Sequence, residues 1–487
     1  MMSGVKGAAK APGARRALAW SFANTMLGKL GTLGIGIAIA RLLGPDEFGT
    51  YAVALVALMA ILSFNELGVS LAIVRWEGDP RRIAPTVTTI SVVASLLFFA
   101  GAYIMAPAFA EAMGDASAAD VVRVMLICVP LNGLVATPAA LLQREYQQGR
   151  RTIADQVNIW LGAGISILLA ILGFGAMSLA IGRVIATVVF SIMLVSFSPM
   201  PLRFGWNREV LGPLLRFGLP LAGSSIIVFG VGYADQFVVG AVLGAQALGF
   251  YVLAFNLASW PVAMLSQPIR AVAPAAFARI QHDPARMNVN FGAAFRIVLA
   301  VALPLCAVLA GAAVPVITFV YGEAWAPAAL ALQWLALQAA LRIVFELAYD
   351  FLAVRRKSGV LMVIQGIWLV ALVPALLLGA QFGGIAGAAL AQFVVAAVVM
   401  VACYGWALSR AGVKVVGLLR TAVVPLLAGA LAWALSVLFA RVIPIDFWAA
   451  AAAGITAAAF AGIVVLLSRS SLSTLRHVEP STEAESA

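Results

Sequence analysis

Runs of about 20 apolar residues recur along almost the whole chain, separated by short polar loops. A run of that length matches the hydrocarbon thickness of a bilayer, where no backbone amide can be left unpaired. The runs therefore predict α-helices. A membrane barrel would alternate apolar and polar residues over about ten positions, and these runs do not alternate. Composition points the same way. Hydrophobic residues make up 63% of the chain and charged residues 10%, against roughly 45–50% and about 25% in a soluble domain. No polar stretch is long enough to form a soluble domain. The predicted fold class is all-α integral membrane.

Spans are predicted at about 17–40, 50–74, 85–110, 119–142, 153–174, 176–198, 217–243, 249–278, 292–320, 327–354, 360–379, 384–408, 420–440 and 447–467, about 14 in all. The predicted organisation is a basic N-terminus (1–16), a six-helix lobe (17–198), a linker (199–216), a second six-helix lobe (217–408), two additional helices (409–467) and a disordered Ser/Thr/Glu-rich tail (468–487). Lysine and arginine collect in alternate loops: Arg75, Arg81 and Arg82; Arg144, Arg150 and Arg151; Arg203, Arg208 and Arg216; Arg355, Arg356 and Lys357. The intervening loops are acidic, with Asp46, Glu47, Glu111, Asp115, Glu323 and Asp446. By the positive-inside rule the basic loops and both termini are cytoplasmic. This distribution accounts for the net charge of +11 without a nucleic-acid partner.

The chain also repeats itself. Leu43-Gly44-Pro45-Asp46-Glu47-Phe48-Gly49-Thr50-Tyr51 and Leu243-Gly244-Ala245-Gln246-Ala247-Leu248-Gly249-Phe250-Tyr251 share the skeleton L-G-x4-G-x-Y. Each copy follows the first helix of its predicted lobe, on the outer face. Six helices separate the copies, an even number. Both lobes therefore enter from the same side, as a parallel repeat about an axis along the membrane normal.

These residues also carry a resemblance. Ala40 through Ala52, with Leu43-Gly44 and Phe48-Gly49-Thr50-Tyr51, resembles the first outer loop of bacterial polysaccharide and O-antigen flippases of the multidrug/oligosaccharidyl-lipid/polysaccharide exporter superfamily. Glu66 to Arg75, Leu141 to Tyr146 with Arg150-Arg151, and Tyr233 through Gly240 to Tyr251 resemble further stretches of the same family. The resemblance spans the chain. It implies two lobes around a central cavity, alternating access, and an undecaprenyl-pyrophosphate-linked oligosaccharide as cargo for exopolysaccharide, capsule or O-antigen synthesis. Partners would be membrane lipids and the glycosyltransferases and polymerase of that pathway. A multidrug exporter or peptidoglycan-precursor flippase of the same superfamily is the near alternative. A membrane enzyme acting on lipid-linked sugars is a more distant one.

Ionisable residues inside spans are costly and face a partner or a wet cavity. Lys29 lies about 18 Å into the first span and Glu66 about 13 Å from the end of the second. They either neutralise each other or offer the cargo's pyrophosphate a cation. Asp235 and Arg183 share a depth on helices of different lobes. Asp235 either lines the cavity, bonds locally or meets Arg183 as a gate. Arg342, Glu346 and Asp350 step by four along one helix face. They form an internal ladder, or an acid among them exchanges an ion. The expected substrate contacts are Lys29, Asn24, Arg183, Asp235, Gln236 and Arg342. Ion coupling or gating would fall to Glu66, Asp235, Glu346 and Asp350.

No cofactor or metal is expected. The chain has no phosphate-binding P-loop. Its two histidines, His282 and His477, lie in polar segments, and Cys128, Cys306 and Cys403 each sit singly in an apolar run, where a small core residue is the expected role.

Overall fold

The computed structural model describes the backbone of residues 14–65, 70–76, 78–279, 283–355 and 357–467. Within these helices the described side chains exclude those of 14–33, 64–65, 148, 215, 217, 219–222, 224–228, 266–276, 278–279, 284 and 358. Among the described residues the structure is helical, with no strand. The α-helices are α1 (Ala14–Asn65), α2 (Ser70–Arg75), α3 (Ala84–Ala112), α4 (Ala118–Leu126), α5 (Cys128–Arg144), α6 (Gln148–Ile171), α7 (Ala176–Phe197), α8 (Arg208–Leu243), α9 (Ala245–Arg279), α10 (Pro284–Gly311), α11 (Ala313–Tyr321), α12 (Ala328–Val354), α13 (Ser358–Val395), α14 (Val401–Arg410), α15 (Val415–Val442) and α16 (Asp446–Leu467). A π-helical turn, Ala396–Met400, joins α13 to α14.

Eleven stretches in the described residues are long and apolar enough to cross a membrane. Two of them, Gly34–Ser63 and Gly359–Arg410, contain a non-helical glycine, Gly44 (φ 73°, ψ 175°) and Gly384 (φ 58°, ψ −144°). Among the element boundaries that differ from the sequence expectation, three have a local cause or consequence. The fourth expected span breaks at Ile127 into α4 and α5. Pro130 has no N–H for the carbonyl of Leu126, so the helix cannot run through unchanged. The ninth bends at Ala312 between α10 and α11. The linker is shorter than expected, because α8 already starts at Arg208. There the Asn207 side chain accepts from the Glu209 amide at 2.9 Å and caps the first turn.

Packing falls into layers along the helix axes. The largest apolar cluster sits at the end of the molecule that carries the two repeat loops. It gathers Ala52 to Leu58 of α1, Met113, Met125 of α4, Leu248 to Ala254 of α9 and Trp325. A second cluster lies toward the arginine-rich end of the later helices, with Phe277, Phe291, Phe345, Phe351 and Tyr404. At that end arginines tie loops together. Arg144 donates to the carbonyls of Ile73 (2.6 Å), Trp76 (2.6 Å) and Gly78 (3.2 Å), and Arg355 to that of Ala411 (3.2 Å). Helices α15 and α16 pack on α10, away from the central site.

Candidate functional site

A cavity of about 600 Å³ lies among α1, α8, α9, α12, α13 and α14. Of the helices before α8, only α1 enters its described lining, through Leu55 and Met59. Helices α8, α9 and α12 to α14 supply amides (Gln236, Asn256, Gln338, Gln365, Gln392) and aromatic rings (Tyr233, Phe255, Phe345, Tyr349, Trp368, Tyr404). Position along the helices places this lining between the middle of the molecule and its arginine-rich end. Gln338 follows the start of α12 by ten residues, about 15 Å, whereas Tyr349 precedes its end by five.

The charged lining residues are Arg342 and Glu346, one helical turn apart on α12 with Nε and Oε1 3.5 Å apart. The expected ladder is therefore formed at this step and faces the cavity. Asp350, a turn further on, is buried outside the lining. Gln236 lines the cavity. Asp235 does not reach it. Its carboxylate is buried in the wall behind, where Oδ2 accepts from the Tyr251 hydroxyl (3.1 Å) and the Gln392 amide (2.8 Å). Asp235 and Arg183 form no ion pair in this conformation; the local bonds take the carboxylate instead. Arg183, on α7, is outside the lining but within electrostatic reach of Tyr233. Glu66 lies outside the described residues, and the side chains of Asn24 and Lys29 lie outside the described ones. Phe229, which stands where the repeat puts Lys29 in the first half, stacks on Tyr233 with ring centroids 5.0 Å apart.

The reading from residues did not single out the aromatic wall. Phe345 stacks on Tyr404 (5.1 Å, interplanar angle 11°) and meets Trp368 edge-on (6.2 Å, 81°). In an apolar span an aromatic residue signals nothing by itself. Only the helix packing shows that these rings face a polar cavity. Gln392 was also missed. Its sequence signal is a lone amide inside an otherwise apolar run.

The repeat loops close the opposite end. Gly44 (φ 73°, ψ 175°) and Gly244 (φ 87°, ψ 176°) adopt the same left-handed turn. Beyond them the two copies touch reciprocally. A Cβ on Gly49 would overlap the Ala245 carbonyl oxygen, and one on Gly249 would fall 2.9 Å from the Gly49 Cα and 3.1 Å from the Pro45 carbonyl oxygen. Position 49 faces 245, and position 249 faces 45. Such exchange is the mark of a two-fold contact. Gln246 donates to Asp46 at 2.6 Å, joining the same position of the two copies. The copies diverge where their surroundings do. Glu47 accepts from the Ala176 amide at the N-terminus of α7 (2.6 Å), where a carboxylate complements the helix dipole. Around this contact Trp325 packs edge-on against Phe48 and Phe250 (5.4 and 5.8 Å) and donates to the Ala40 carbonyl (3.2 Å). Arg41 donates to the carbonyls of Val320 (2.8 Å) and Phe319 (2.5 Å).

The fold recurs in solved structures. The chain superimposes with a TM-score of 0.75 on the lipid II flippase MurJ in an inward closed conformation, at 12% identity, covering 91% of this chain and 97% of that one. An inward-facing multidrug resistance MATE transporter of the MOP superfamily gives 0.61 at 18% identity, covering 78% and 94%. Similarity in sequence runs elsewhere. The succinoglycan biosynthesis transport protein ExoT of Rhizobium meliloti (strain 1021) is 27% identical over 81% of this chain and 80% of its own. The lipopolysaccharide biosynthesis protein WzxC of Escherichia coli (strain K12) is 22% identical over 76% of each. A family model described as "Polysaccharide biosynthesis protein" matches residues 38–330, which include both repeat loops and the helices between them. With more than half its length in that match, the chain belongs to the polysaccharide biosynthesis protein family.

Proposed function

We propose that the protein is a flippase that carries an undecaprenyl-pyrophosphate-linked oligosaccharide from the cytoplasmic to the outer leaflet of a bacterial inner membrane, by alternating access and without chemistry on the cargo. The observation that carries this reading is the pairing of a polar, aromatic-lined cavity with a reciprocal closure of the repeat loops at one end. ExoT and WzxC, by their names, serve polysaccharide synthesis, and MurJ is a flippase with this fold.

The segments on either side of Gly44 and Gly384 each count as one crossing, and with α8 the crossings number fourteen. They form lobes at 17–198 and 217–408, followed by two further helices at 409–467. The arginine-rich loops and both termini face the cytoplasm, which places the closed repeat loops outside and makes this the inward-facing state. Lys29 would supply the cation for the pyrophosphate from the first lobe, with Asn24 beside it and Arg183 as a further contact, while Arg342, paired with Glu346, would contact the glycan. Asp235, held by Tyr251 and Gln392 in a wall that must rearrange, is the residue best placed to exchange a cation during the cycle, with Glu66, Glu346 and Asp350 as other acids of the spans. Glycosyltransferases and a polymerase of the same pathway would deliver and take the cargo.

The test is a deletion strain. Loss of the gene should trap the full-length lipid-linked oligosaccharide where an impermeant label added outside cannot reach it. Free labelling in the deletion strain would refute the reading.

A further inference from the structure

We infer that the cavity of the later helices is a subsite for uncharged sugar rings, and that the Arg342–Glu346 pair turns away glycans bearing a carboxylate at that point. The inference rests on the flippase reading and specifies the class of its substrate. Among the described lining residues the one cation and the one anion are paired at 3.5 Å, so this wall offers a ligand no net charge. A uronate entering here would meet the Glu346 carboxylate and a guanidinium already engaged. Drawing Arg342 away would leave the partly buried Glu346 carboxylate without its partner and facing a second carboxylate.

The rest of the lining suits a neutral pyranose. Such a ring presents hydroxyls around its edge and C–H groups on its faces. Gln236, Asn256, Gln338 and Gln365 offer amide donors and acceptors for the hydroxyls. The C–H faces need an aromatic surface, whose ring face is electron-rich. Trp368 supplies it, held edge-on against Phe345, which is itself stacked on Tyr404. The volume, about 600 Å³, lies in the range of small-molecule sites and admits a short stretch of glycan rather than a polymer.

The test titrates purified protein in nanodiscs with three probes. These are a short-chain polyprenyl pyrophosphate, the same lipid carrying a neutral hexose tetrasaccharide, and that tetrasaccharide with one glucuronate. The neutral glycan should tighten binding over the bare lipid by about tenfold, and the glucuronate should remove that gain. Trp368→Ala should lose the gain and Trp368→Phe should retain most of it, each confirmed as folded by thermal melting. Glu346→Gln, which releases Arg342, should restore binding of the glucuronate probe. Equal binding of the neutral and glucuronate probes, or a folded Trp368→Ala that keeps the gain, would overturn the subsite. If the bare lipid binds and sugar adds nothing, the subsite fails alone. If none of the three binds, the flippase reading fails and takes the subsite with it.

Discussion

Gly249→Ala should tip the protein toward the conformation in which the repeat end is open. The new Cβ would lie 2.9 Å from the Gly49 Cα and 3.1 Å from the Pro45 carbonyl oxygen. Non-bonded carbons rest at roughly 3.5–4.0 Å, so the two backbones must part by about 0.6–1 Å. Both neighbours are main-chain atoms and cannot rotate away. Overpacking of this kind costs about 1–3 kcal/mol. In the open conformation the two loops separate and the methyl meets nothing, so the whole cost enters the conformational equilibrium. That corresponds to a shift of roughly 5–150-fold. Spin labels at Glu111→Cys and Glu323→Cys, both exposed at the repeat end and one in each half, would report it as a longer-distance population in double electron–electron resonance. A folded Gly249→Ala protein with the wild-type distance distribution would refute the reasoning, because the contact would then not distinguish the two conformations.

Trp325→Ala removes a fully buried ring, its packing on Phe48 and Phe250 and its bond to Ala40. It should lower stability by about 3–5 kcal/mol, read as a drop in melting temperature in detergent. Asp115, in the loop between α3 and α4, accepts from Thr50 at 2.6 Å and from the Ser117 hydroxyl at 2.5 Å. Burial alone would raise its carboxyl, but the bonds from Ser117 and Thr50 outweigh that and hold it below the ordinary 3.8. Its stabilisation is therefore complete above pH 3.8 and is lost as the pH falls through the lower folded value. Asp115→Asn should cost about 1.5–3 kcal/mol at neutral pH and flatten that acid limb in a melting series. Asp235→Asn should leave transport insensitive to collapse of the proton or sodium gradient; retained sensitivity would remove Asp235 from coupling.

What was legible in the sequence follows from physical range. The hydrocarbon sets the length of each span, so expected spans such as 327–354 and 447–467 fall within a residue of α12 and α16. The Arg342–Glu346 step was legible because a spacing of four is a local property of one helix. The repeat was legible as letters, and its even spacing gave the parallel sense. That the two copies press on each other was not, because the contact joins backbones 200 residues apart and depends on how the helices tilt. The same limit hid the partner of Asp235, since Gln392 lies 157 residues away. Arg183 was expected at the depth of Asp235, but a shared depth does not by itself make a contact, and Tyr251 and Gln392 hold the carboxylate instead. The break at Ile127 was readable from Pro130, but the length of the apolar run masked it.

Proteoliposomes test the central claim most directly. Vesicles would carry a lipid-linked oligosaccharide in both leaflets, with an impermeant glycan oxidant or lectin outside. With the purified protein present and no ATP, the account predicts that the inner pool becomes accessible and leaves as the unaltered lipid-linked glycan, and that this slows sharply in Lys29→Ala. An inner pool as protected as in protein-free vesicles, or a cargo that emerges chemically changed, would contradict it.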